Sequence, residues 1–197
     1  MNVSHILRTR LPLLAVVAVL ASCNDNPSQP IPGAGDPENI SRVTVSLTPT
    51  AGGSAITSVR VDPDGTTLPQ DVQPAVGTLA LTKGTTYNGT ITLLNDIDPQ
   101  HVIDITAEVS SEANFHRFFY TFTCDGISVP VSSLDLDTQS SPQPVGLHYQ
   151  VVVSASAPTT SSCNMHVELH HFETDKGDGT GTTFDTDLSL DFPVTIN

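Results

Sequence analysis

Residues 163–172 read Cys-Asn-Met-His-Val-Glu-Leu-His-His-Phe. Met165, Val167 and Leu169 occupy alternate positions, with His166, Glu168 and His170 between them. Successive side chains of a strand point to opposite faces, so this stretch reads as a strand with one apolar and one polar face. His171 continues the apolar stripe at the strand's end. Residues 116–124, His-Arg-Phe-Phe-Tyr-Thr-Phe-Thr-Cys, follow the same rule. Phe118, Tyr120 and Phe122 share a face, and His116 starts it.

The alternation recurs along the chain. Val43, Val45 and Leu47 mark a first strand, and Leu79 and Leu81 another. Tyr87, Ile91 and Leu93 follow, with Gly89 in their row. Val145, Leu147, Tyr149, Val151 and Val153 make the longest clean run, and Leu188, Leu190, Phe192, Val194 and Ile196 close the chain. Ala55–Val61 and Ile127–Val131 are weaker candidates. Eight or nine strands separated by Gly- and Pro-rich turns imply an all-β sandwich or barrel. The first expectation is an antiparallel immunoglobulin-like β-sandwich, and the alternative is an up-and-down β-barrel. One segment departs from the period of two. Ile105, Val109 and Ala113 recur every four residues, with Glu108 and Glu112 on an adjoining stripe and Asp104 as N-cap, which predicts a short helix over 104–113.

Upstream of the strands the chain changes character. Arg8 and Arg10 precede an apolar run from Leu11 to Leu20. That run is too short to span a bilayer, which needs about 20 apolar residues. A basic start, a short apolar core and small residues at its end are the parts of a secretory signal. Leu20-Ala21-Ser22-Cys23 resembles the lipobox of bacterial lipoproteins. The resemblance implies cleavage before Cys23, acylation of that cysteine, and a protein anchored to the membrane without crossing it. Asn24 is not the aspartate that in some bacteria signals inner-membrane retention, so the address implied is the outer membrane. The alternative is an ordinary secretory signal with a chance cysteine. Residues 1–22 are thus read as signal peptide, 23–39 as a Pro-, Gly- and Asn-rich flexible tether, and 40–197 as a single β domain.

Composition narrows the function. The 197-residue chain carries 21 acidic residues against 7 Lys and Arg, a formal net charge of −14. Loss of Arg8 and Arg10 with the signal takes the net charge to −16. Nothing is present to neutralise phosphates, which argues against nucleic acid as a partner. No nucleophile elbow, Walker loop or dinucleotide glycine pattern appears, so no enzyme activity is expected.

Two of the three cysteines, Cys124 and Cys163, lie in the domain. In an exported protein an even pair is expected to form a disulfide. A metal-binding pair or two free thiols are the alternatives. If a bridge joins these two strands antiparallel, eight residues back from Cys124 is His116 and eight forward from Cys163 is His171. Without a bulge, the two histidines face each other at the rim. Facing imidazoles with a carboxylate nearby, here Glu112, suit zinc or copper. The competing reading is a satisfied pair of rim histidines. His166, Glu168 and His170 share a strand face but lack a third strong ligand from elsewhere. His148 is expected to be exposed and His101 to lie in a loop. The segment from Asp175 to Asp187 offers Asp175, Asp178, Asp185 and Asp187 to calcium, but Asp and Gly are equally what a long hairpin turn prefers.

Residues 77–96, the acidic helix and the aromatic strand together resemble a group of small, mostly uncharacterised bacterial envelope lipoproteins. The resemblance rests on Leu94-Asn95-Asp96, Glu108, Glu112, His116 and His171. Asn114 and Phe115 depart from it, standing where an acidic pair is expected. It implies partnership with TonB-dependent outer-membrane receptors. The function expected is a lipid-anchored envelope binding module capturing a metal ion or small ligand. A structural or adhesive domain is the alternative.

Overall fold

A computed structural model describes residues 38–65, 71–124, 126–177 and 183–197. The signal segment, Cys23, the tether up to residue 37 and Asp178 lie outside the described residues. The described residues form ten strands and one helix. They are β1 (Arg42–Pro49), β2 (Ile56–Val61), β3 (Leu79–Leu81), β4 (Thr86–Asn95), β5 (Ile103–Asp104), α1 (Ile105–Ser111), β6 (His116–Cys124), β7 (Val131–Ser133), β8 (His148–Val152), β9 (Thr160–Phe172) and β10 (Phe184–Ile196). Among the described residues no helix is long and apolar enough to cross a membrane.

The fold is all-β. One sheet runs β2-β1-β4-β8-β7, with β5 also paired to β4, and the other runs β3-β10-β9-β6. Every pairing is antiparallel except β3 with β10. Strands adjacent in a sheet are often distant in the chain, which is not the strand order of an up-and-down meander. The apolar faces share one core, built from Val43, Val45 and Leu47 of β1, Leu93 of β4, Met165, Val167 and Leu169 of β9, and Phe192 of β10, among others. Tyr120 of β6 stacks on Tyr149 of β8 with ring centroids 4.1 Å apart, so the two sheets touch at their aromatic centres. Offset aromatic pairs of this kind add about 0.5–1.5 kcal/mol beyond the area they bury.

The helix forms as its spacing predicts. Asp104 is the N-cap and accepts from the Ala107 amide, Ile105 and Val109 are buried, and Glu112 is the C-cap. Thr106 ties it to β4, its Oγ1 accepting from Leu93 N at 2.8 Å and donating to Leu93 O at 3.1 Å.

Three boundaries differ from the sequence reading. Val145, Leu147, Tyr149, Val151 and Val153 are buried as expected, but so is Gly146, and regular strand covers only His148–Val152. Gly146 has φ of +96°, a conformation that interrupts a strand. There the Asp135 carboxylate accepts from the amides of Gly146, Leu147 and His148, replacing a neighbouring strand. Ile127 and Val129 are buried without being strand, and β7 begins only at Val131. Glu38, placed in the tether by the sequence reading, is only 5% exposed.

Gly89 explains how β4 passes beneath Tyr149. A Cβ at this position would overlap the Tyr149 ring, which is fully buried and pinned by Tyr120. Overpacking a filled core costs about 1–3 kcal/mol. Gly89→Ala is expected to lower unfolding free energy by about that amount, read from urea denaturation with an unchanged m-value. An unperturbed midpoint would mean that the ring has room to move.

Candidate metal centre

Strand β6 pairs with β9 without a break from Cys124↔Cys163 to His116↔His171. The cysteines are bridged, with their Cα atoms 4.6 Å apart. The histidines at the far end of the ladder lie face to face, with ring centroids 4.3 Å apart and planes tilted by 31°. His116 is wholly buried and His171 nearly so.

Two carboxylates close on this pair. Glu38 Oε1 lies 3.4 Å from His116 Nε2, and Asp187 Oδ2 lies 3.7 Å from the same nitrogen and 3.8 Å from His171 Nδ1. Glu38, His116 and His171 bring one ligand atom each within 4.8 Å of one another, and no other such group of three occurs among the described residues.

The identity of the carboxylate corrects the sequence reading. Glu112 is buried beside the pair, but the group it offers His116 is its backbone carbonyl, 3.2 Å from Nδ1. The acid in the ligand set is Glu38, just ahead of the first alternating run. The only sequence cue was a carboxylate two residues before Ile40, and it was absorbed into the tether. Asp187 arrives by a different route. The register of β10 against β9 shifts between Thr186 and Leu188, leaving Asp187 as the extra residue of a bulge. Strand parity assigns Asp187 to the polar face, since Leu188 and Phe192 face the core. The bulge buries Asp187 and Leu188 together. Bulges commonly re-aim side chains beside functional sites.

The hydrogen bonding at the centre is incomplete in a directional way. A carbonyl can only accept, so His116 Nδ1 donates its proton to Glu112 O, and whenever the ring carries one proton Nε2 presents a lone pair. That nitrogen faces Glu38 Oε1 and Asp187 Oδ2, which are also acceptors. His116 Nε2, Glu38 Oε1, Glu112 Oε2 and both Asp187 oxygens are buried and form no hydrogen bond. Leaving one such group unsatisfied costs about 1–3 kcal/mol, and more if it is charged. Several acceptors facing one another without a donor is the arrangement that a cation resolves. Zinc holds its nitrogen and oxygen ligands at about 2.0–2.2 Å, so neighbouring corners of a tetrahedron stand about 3.3–3.5 Å apart. The separations of 3.4, 3.7 and 3.8 Å lie close to that edge. The Nδ1–H bond to a carbonyl is also the outer contact that orients a metal-ligating imidazole.

A buried ion pair fixes this end of β6. Lys176 Nζ donates to Ala113 O at 2.7 Å and His116 O at 2.8 Å, and meets Asp137 Oδ2 at 3.2 Å. Burial pulls the Lys176 pKa down, with Asp137 opposing. For Asp137, burial is outweighed by the Gln143 and Gln139 amides and by Lys176, so its carboxyl stays below its ordinary value. Neither residue was picked out in the sequence, because nothing local distinguishes a lysine in a turn-rich segment.

The other candidates fall elsewhere. Glu168 lies between His166 and His170 at 3.2 and 3.3 Å, and Asp191 takes the other nitrogen of His166 at 2.8 Å. Burial depresses His166, but its bonds to Asp191 and Glu168 win and raise its pKa. His170 stacks on Phe184 with centroids 3.9 Å apart. This face is therefore a network of ion pairs and stacked rings. Of the aspartates considered for calcium, Asp175 and Asp185 are exposed while Asp187 points into the histidine centre, so these three do not converge. His148 and His101 are exposed as expected, near Asp135 and Asp98.

With this geometry in view, the chain was compared with known proteins: no family model matches it, and no curated protein or solved structure is significantly similar.

Burial raises the Asp187 carboxyl to about 7, with His116 opposing and Glu38 adding. Burial raises Glu108 and Glu112 in the same direction. A carboxyl raised on folding binds its proton more tightly in the native state, so stability is highest below the unfolded value and falls as pH rises through about 7. In metal-free protein the Asp187 share of that fall is on the order of 4 kcal/mol. Urea unfolding between pH 4 and 8 is expected to show the decline, and Asp187→Asn to flatten it. An identical slope in the variant would remove Asp187 as its source.

Proposed function

We propose that this protein is a lipid-anchored envelope binding module that captures a divalent transition metal, zinc in the first instance. The ligands are Glu38, His116 and His171, with Asp187 as the fourth. The observation that carries this reading is the buried group of Glu38, His116 and His171, whose ligand atoms lie within 4.8 Å of one another, with Asp187 within 3.8 Å of both imidazoles. Two imidazoles and two carboxylates make a nitrogen–oxygen donor set, which suits Zn(II) or Cu(II) and lacks the soft sulfur that selects Cu(I). Two ionised carboxylates also balance the charge of one divalent ion. The anchor at Cys23 and the outer-membrane address rest on the lipobox resemblance. The handing of metal to a TonB-dependent receptor rests on the resemblance to envelope lipoproteins.

The test is calorimetric titration of zinc into the mature chain in detergent, which keeps Glu38 in place. One zinc per chain is expected, with loss of binding in His116→Ala/His171→Ala. Removing an outer-shell partner typically costs 10–100-fold in affinity, so Glu38→Ala, which removes a ligand, should cost at least about 100-fold. Saturating zinc should also raise the melting temperature of the wild type and leave the double variant unmoved. Equal binding in all three proteins would place the metal elsewhere. No binding in any would leave the histidines as rim residues of a structural domain.

A further inference from the structure

The metal reading leaves Glu112 unused. This side chain is 3% exposed, its Oε2 makes no hydrogen bond, and it is not in the ligand set. Glu108 lies four residues earlier on the same helix and is half-buried. Residues at that spacing are neighbours on a helix surface. Ile105 and Val109 turn to the core, so Glu108 and Glu112 occupy the adjoining stripe. Glu112 feels the charges of His116, Glu38 and Glu108, and Glu108 feels those of Glu38 and His116. Neither has a lysine or arginine among the groups acting on it. Two like charges at this spacing destabilise a helix, and a buried carboxylate without a donor costs more.

We propose that Glu108 and Glu112 form the access path of the metal centre, drawing a hydrated divalent cation from the surface and replacing part of its water before it reaches Glu38, His116 and His171. The proposal rests on the metal reading above. The three carboxylates run from half-buried Glu108 to buried Glu112 and Glu38, so a cation meets oxygen ligands at each stage of losing its hydration shell. The cavity beside Asp187 measures about 20 Å³ and is lined by Arg60, Asp62 and Asp187; it has room for about one water, too little for a hydrated cation.

A path acts before the final bonds form, so its signature is kinetic. Lining a cleft with one sign of charge changes association rates by about 10–10³-fold. Cobalt(II), whose d–d absorption reports four-coordinate binding, is mixed with the full chain in a stopped-flow instrument. The proteins compared are wild type, Glu108→Gln/Glu112→Gln, and the charge-matched control Glu173→Gln/Asp175→Asn, whose two side chains are exposed. The path variant is expected to bind about tenfold more slowly than the control at low salt, with dissociation slowed in parallel so that affinity changes less than rate. Its rate should also depend less on ionic strength. Equal rates in the two variants would overturn the path while leaving the metal centre standing, as would slowing by Asp62→Asn alone. No cobalt binding in wild type would instead defeat the metal reading and the path with it. If the double variant melts below the assay temperature, Glu108→Gln alone carries the same comparison, since this half-buried residue is free to lose its charge without disturbing the core.

Discussion

The pairing of β6 with β9 is the constraint on which the site depends. The ladder runs from the Cys124–Cys163 bridge at one end to His116 and His171 at the other, with nine consecutive partners and no bulge. A strand's side chains alternate strictly, so a slip of one residue would turn both imidazoles to the opposite face. The covalent link fixes the register at one end. The burial of Phe118, Met165, Val167 and Leu169 enforces it along the length. The histidine pair is therefore a consequence of core packing carried to the rim of the sheet, where the apolar stripe gives way to titratable groups.

What converts a rim pair into a candidate site is supplied from outside that ladder. Asp187 comes from the next strand by a bulge, Glu38 from the segment leading into β1, and Glu112 from the end of the short helix. Each brings a buried side-chain acceptor that makes no hydrogen bond. Among the described residues most of the buried atoms without a hydrogen bond gather here, Asp62 Oδ1 and Tyr149 Oη being the others. Nearby, Lys176 and Asp137 show the opposite solution, a buried charge pair whose remaining atoms are engaged by the carbonyls of Ala113 and His116 and by the amides of Gln139 and Gln143. The contrast between a satisfied ion pair and an unsatisfied acceptor cluster, both buried against the first residue of β6, is the physical mark that separates scaffold from site.

Much of the architecture was legible without coordinates. The period-two rows placed β1, β4, β6, β9 and β10, and the four-residue recurrence of Ile105, Val109 and Ala113 placed the helix. Counting eight residues from each cysteine placed His116 opposite His171. These readings succeeded because each depends on local alternation or on one covalent link. The reading failed where a backbone irregularity or a distant segment decided the outcome. Gly146 and the Asp135 carboxylate broke the run at 145–147 out of regular strand, although its apolar residues alternate in the sequence. Glu112 was chosen as the site carboxylate because it was nearest in sequence to His116, whereas the structure gives that place to Glu38, 78 positions upstream.

By itself, then, the sequence determined a β domain with one internal disulfide and two histidines held opposite each other. These follow from periodicity and from the fixed geometry of an antiparallel ladder. Only the tertiary structure decided that the pair is enclosed by Glu38 and Asp187, and that Glu112 stands beside it without a partner. The physical reason is that convergence of side chains from β6, β9, a bulged β10 and the approach to β1 is a property of how the strands pair and close on one core. No window of sequence contains those four segments together, and the one-residue bulge that buries Asp187 leaves no trace in the alternation of its neighbours.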